Sequence, residues 1–109
     1  MSKPKKDTPS LAMLRNRVDA FLDENGLRGD ARFYTRDEWR DRGEPYGRDA
    51  LVTLVIDGSP MYEVMNGYLS VSEGSLFDRF EKMVASLGFH YELGFAWSVH
   101  FYHPSIVGA

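Results

Sequence analysis

The stretch "HYELGFAWSVHFYHP", residues 90–104, holds all three histidines of the chain together with one glutamate and two tyrosines. His90, Glu92, His100 and Tyr102 are residue types from which a divalent-metal site or an acid–base pair can be built. Imidazole titrates near neutral pH and ligates metals as the free base. Their spacing, H-x-E-x7-H, matches no established metal motif. Whether they act together therefore depends on how the segment folds.

The segment alternates twice. Phe89, Tyr91 and Leu93 share one face, opposite His90 and Glu92; Trp97, Val99 and Phe101 share one face, opposite Ser98, His100 and Tyr102. This is a β-hairpin pattern. Both apolar sets reach the same core only if the loop has an odd number of residues, because a one-residue slip turns a whole strand over. A three-residue loop of Gly94, Phe95 and Ala96 is expected. It pairs Leu93 with Trp97, Tyr91 with Val99 and Phe89 with Phe101, and sets His90 across from His100 and Glu92 across from Ser98. Opposed side chains then have Cβ atoms about 4.5–5.5 Å apart. The plainer expectation is a polar, partly exposed sheet face on which these side chains merely cross-pair, with His103 leaving the sheet before Pro104.

A second candidate lies in "FYTRDEWRDRGEPYGR", residues 33–48. Trp39 and Tyr46 sit in a heavily charged connection flanked by Arg36, Arg40, Arg42 and Arg48. Trp, Tyr and Arg dominate interface hot spots, so these six residues are the expected partner-binding surface. The structural alternative is that Trp39 caps the edge of the core and the arginines pair locally. Asp37, Glu38, Asp41 and Glu44 interleave with the arginines, which reads as a mutually neutralising face rather than a carboxylate pair. Ser59 in "DGSPM" lacks the context of a nucleophile elbow and reads as a helix cap. "DENGLRGD" lacks calcium-loop spacing, and Met61 and Met65 read as core filling.

The elements that position these residues follow from periodicity. "TPSLAMLRNRVDAFLDENG" places Leu11, Leu14, Val18, Phe21 and Leu22 on one helical face, with Thr8 as N-cap and the Asn25, Gly26 pair as stop. "ARFYT" is a short strand, and Thr35 with Glu38 makes a capping box for a brief helix. "ALVTLVID", residues 50–57, is apolar on both faces except at Thr53, which places it centrally in a sheet. Ser59 and Pro60 open a further short helix, and "YLSV", residues 68–71, reads as a short strand or a connection. Ser75 and Asp78 form a second capping box ahead of a helix whose stripe is Leu76, Phe77, Phe80, Met83, Val84 and Leu87. The expected fold is α+β: a small, mostly antiparallel sheet of about four strands with two main helices packed on one face. Residues 1–7 are expected to be a flexible basic tail, and residues 8–109 a single α+β domain.

Composition narrows the function classes. The chain has 109 residues and no cysteine, which removes disulfides and thiolate chemistry and fits a reducing compartment. No apolar run is long enough to span a bilayer, so no membrane partner and a cytoplasmic location are expected. With Lys3, Lys5 and Lys6 set aside, 10 basic residues face 16 acidic ones, a net charge of −6. An acidic body argues against nucleic acid as the partner. The expectation is a small non-enzymatic cytosolic protein without a cofactor that binds another protein, as an inhibitor, adaptor, immunity-type or phage accessory factor. The alternative is a metal- or small-ligand-binding protein, or an enzyme, using His90, Glu92, His100 and Tyr102. A symmetric homodimer is a further expectation if a sheet edge is left unpaired.

Overall fold

The computed structural model describes residues 9–67 and 74–104. The cap at Thr8, the tail 1–7 and the segment 68–71 lie outside the described residues. In chain order the elements are α1 (Pro9–Glu24), β1 (Arg32–Thr35), α2 (Arg36–Asp41), β2 (Val52–Val55), α3 (Met61–Met65), α4 (Leu76–Ser86), β3 (His90–Leu93) and β4 (Ser98–Tyr102). The four strands form one antiparallel sheet in the order β1-β2-β4-β3. This is the expected α+β architecture, with the apolar strand β2 in the interior of the sheet.

Alternation along the strands decides what each face meets. Val52, Leu54, Val99 and Phe101 point to one side and enter a single core with Leu14, Val18 and Leu22 of α1, Met61 and Val64 of α3, and Phe80 and Val84 of α4. The ring of Phe80 is the hub, 5.6 Å from Phe21 and 6.3 Å from Phe101. Each such side chain contributes about 1.5–3 kcal/mol by leaving water, so the helices dock through the stripes read in the sequence. α4 begins differently from the expected box. The Ser75 hydroxyl accepts the Asp78 N–H, but the Asp78 carboxylate takes the N–H of Gly74 rather than that of Ser75. At α2 the reciprocal box of Thr35 and Glu38 is complete.

The hairpin register differs from expectation by two residues. His90 pairs with Tyr102, Tyr91 with Phe101, Glu92 with His100 and Leu93 with Val99. The loop is therefore Phe95, Ala96 and Trp97. Its length is still odd, so the sidedness is as expected, but His90 does not face His100. Local bonds account for the shift. The Ser98 hydroxyl accepts the Phe95 N–H at 2.8 Å, while Gly94 stays in the ladder by donating to the Ser98 carbonyl. Trp97, outside the β3–β4 pairing, accepts the Ile56 N–H at its carbonyl and stacks on Phe95 with centroids 4.6 Å apart and rings nearly parallel. Aromatic stacking at the tip thus replaces the Leu93–Trp97 pair.

Candidate functional site

The second face of the sheet is not the partly exposed polar surface expected from alternation. It carries Tyr34, Thr53, Ser98, His100 and Tyr102, and α2 lies across it. Trp39 of α2, 1% exposed, sits over His100 with ring centroids 5.3 Å apart and meets Tyr34 and Trp97 edge-on. The Arg42 guanidinium covers the cluster from outside, 5.0 Å from the Tyr34 ring and 5.2 Å from that of Trp39. A small aromatic core thus forms on the side of the sheet away from the main one.

His100 is at its centre, 1% exposed, with both ring nitrogens occupied: Nδ1 lies 2.8 Å from Thr53 Oγ1 and Nε2 lies 2.9 Å from Ser98 Oγ. A neutral imidazole donates from one ring nitrogen and accepts at the other, so one of the two hydroxyls donates to the ring and the other accepts from it. Burial away from water pushes the His100 pKa down to about 4. A serine hydroxyl at hydrogen-bond distance from an imidazole is the geometry of a nucleophile and its base. Here Ser98 is fully buried, and a threonine hydroxyl stands where a carboxylate would stabilise an imidazolium. The arrangement is a polar clamp that ties β2 and β4 to the hairpin tip.

Two glycines make room for it. A side chain at Gly47 would place its Cβ 2.1 Å from His100 Nδ1, and one at Gly94 would come 2.5 Å from His100 Nε2 and 2.7 Å from the Tyr46 Cβ. Gly47 also has φ of +73°, whereas Gly43, at +77°, has nothing within 4 Å of the same position. Gly43→Ala should therefore lose roughly 1–2 kcal/mol from backbone strain alone. Gly47→Ala should lose about 1–3 kcal/mol more, because it also drives a methyl into the ring. Urea unfolding of the pair measures the difference, and equal losses would contradict the imidazole's placement.

The arginine-rich connection is built onto the same helix. Arg36, Trp39 and Arg40 lie three and four residues apart, on one face of α2, and each donates to a carbonyl of the segment that follows. Arg36 reaches Asp49 and Ala50, Trp39 Nε1 reaches Tyr46 at 2.7 Å, and Arg40 reaches Arg48 at 2.7 Å. Arg40 also pairs with Asp49, Arg42 pairs with Glu44 and donates to the Tyr34 hydroxyl, and Arg48 donates to the Glu44 carbonyl. A loop with no ladder of its own has its carbonyls satisfied in this way. Five arginines (32, 36, 40, 42, 48) face five carboxylates (37, 38, 41, 44, 49), so the surface carries no net basic charge.

Of the six residues expected at a partner surface, Trp39 is thus interior, the arginines hold the loop in shape, and Tyr46 is displayed at 52% exposure. Tyr46 meets Phe95 edge-on at 5.0 Å, and Phe95 lies on Trp97. Among the four histidine-face residues, His90 stacks on Tyr102 at 5.4 Å near the exposed edge, Glu92 is exposed, and His100 is sealed under Trp39. Among the described residues, no group of three or more histidine and acidic side chains is arranged to hold a metal ion. Thr53, Ser98, Gly47 and Gly94 were not singled out from sequence as site residues. Thr53 and Ser98 carry a signal, Thr53 as the one hydroxyl in an otherwise apolar strand and Ser98 by sharing the hairpin face of His100 and Tyr102.

No protein-family model matches the chain, and no curated protein or solved structure shows a significant match to it. No described helix is long and apolar enough to cross a membrane.

Proposed function

We propose that this is a non-enzymatic protein-binding domain of the inhibitor, adaptor, immunity-type or phage accessory kind. It works in the cytoplasm and contacts its partner through the surface around Tyr46, Phe95 and Trp97. The observation that carries the reading is the way Tyr46 is held. Its ring is half in solvent, yet its own carbonyl accepts the buried Trp39 N–H and its ring rests on the Phe95, Trp97 stack. An exposed aromatic fixed in advance loses little conformational entropy on binding, which makes such side chains effective anchors. Arg42 and Arg48 at the rim supply polar contacts around it.

Tyr46→Ala should leave the melting temperature within a few degrees of the parent, since an exposed ring contributes little to folding. Affinity capture with the parent, Tyr46→Ala and the distant exposed-site control Met13→Ala tests the reading. A partner held by the parent and the control, and bound about tenfold or more weaker by Tyr46→Ala, is the hot-spot result. Equal capture by all three would overturn it.

A further inference from the structure

The two edges of the sheet are finished differently. Antiparallel strands point successive backbone groups alternately toward and away from a neighbour. On β1, the outward N–H of Thr35 is taken by the Glu38 carboxylate of the α2 capping box. On β3, Gly94 N–H points inward to Ser98, so Glu92 and His90 also point inward, and Tyr91 and Leu93 present their N–H and C=O groups outward. Among the described residues, nothing bonds to those outward groups. The Tyr91 side chain turns away to α4, where its hydroxyl donates to Glu81, so it does not screen the edge. Leu93 beside it is 38% exposed.

We propose that the outer edge of β3 binds a second copy of this chain, strand to strand and antiparallel, about a two-fold axis through Tyr91. Three registers bring the outward groups of Tyr91 and Leu93 onto outward groups. Leu93 against Leu93 puts Glu92 opposite Gly94 and makes no charged pair, which leaves two. One sets Tyr91 against Leu93 of the second copy and places the two Glu92 carboxylates directly opposite each other, which is repulsive. The other sets Tyr91 against Tyr91 and His90 of each copy opposite Glu92 of the other; it also aligns Leu93 with Phe89, whose carbonyl can take the Leu93 N–H while its own N–H stays with Val84. His90 and Glu92 are both exposed and on the same face of the strand, so this register gives two complementary cross-strand pairs. Charge selects it. The product is one continuous eight-stranded sheet, and the partner surface around Tyr46 is repeated on each copy.

The full-length chain tests this by sedimentation velocity across a concentration series, with Glu92→Lys as the charge-reversed variant. A concentration-dependent dimer, weakened about tenfold or more by Glu92→Lys, is the expected result. A monomer throughout the series, or a dimer indifferent to Glu92→Lys, overturns the proposal. Because the chain has no cysteine, register can be read by disulfide trapping. His90→Cys chains mixed with Glu92→Cys chains should cross-link to each other, since directly opposed non-hydrogen-bonded residues have Cα atoms about 4.5 Å apart. Preferential cross-linking of Glu92→Cys to itself would mean the other register and would overturn this one.

Discussion

Replacing Trp39 with alanine is expected to lower folding stability by about 3–5 kcal/mol, the range for truncating a buried indole. Two losses add in the same direction. The rings of Tyr34, Trp97 and His100 lose their common contact. The Tyr46 carbonyl loses its donor, so the 42–49 loop is released from α2 at its middle. Water also reaches the face of His100, so the imidazole's pKa should climb back toward 6.5. Trp39→Phe keeps part of the packing but removes the N–H and part of the fused ring, so it should still lose less than Trp39→Ala, about 1–3 kcal/mol from the orphaned carbonyl and the space left behind. Urea unfolding of the two variants gives both numbers. A loss under about 1 kcal/mol for Trp39→Ala would show that α2 does not seal this face.

The second large effect is on acid stability. His100 binds its proton with a pKa near 4 in the folded chain and an ordinary value of 6.5 when unfolded. Between those values the unfolded chain takes up a proton that the native chain refuses, so stability falls as pH falls. The contribution of His100 is complete above pH 6.5 and is lost on the way down to pH 4, by roughly 3 kcal/mol in all. Asp23, held low by Arg28, and Asp78, held low by the Gly74 N–H, lose their contributions only at more acid pH. His90 and His103 are common to parent and variant, so His100→Gln isolates the effect. Stability should fall more steeply between pH 6.5 and 4.5 in the parent than in His100→Gln across the same interval. Parallel slopes would mean that the buried imidazole charges without penalty.

Most of the fold was legible because it is written in periodicity. The stripes of α1 and α4, the capping box of α2 and the two-sided apolar character of β2 are each local patterns that the packing leaves intact. The hairpin shows where local pattern stops. Alternation fixes which side chains share a face, and Tyr91, Val99 and Phe101 do share one. It does not fix the register, because moving the loop by two residues leaves every side chain on the same face. What chose the register was one side-chain bond, Ser98 to the Phe95 N–H, and the stacking of Trp97 on Phe95, neither of which alternation encodes.

The candidate site was legible in its residues and not in its depth. Polar residues at alternate positions of a strand read as a solvated face, His100 among them. Its burial comes from α2, which lies more than fifty positions earlier in the chain, and from Gly47 and Gly94, whose bare Cα atoms admit the ring. The composition of residues 36–48 suggested an interaction surface of arginines around Trp39. In the fold, the same residues satisfy the loop's own carbonyls, and the aromatic left outside is Tyr46. A tryptophan between arginines reads the same whether it anchors a partner or a loop; the buried donor to the Tyr46 carbonyl distinguishes the two.

The measurement that bears most directly on this arrangement is a pH titration of the His100 ring by long-range proton–nitrogen NMR, run with and without zinc. A single neutral tautomer that persists from pH 8 to about 5 and ignores the metal is the expected result. An imidazole that titrates near 6.5, or whose nitrogens shift on zinc addition, would show His100 open to solvent and free to ligate. The histidine cluster would then be a chemical site, and the polar clamp that ties β2 and β4 to the hairpin tip would not exist.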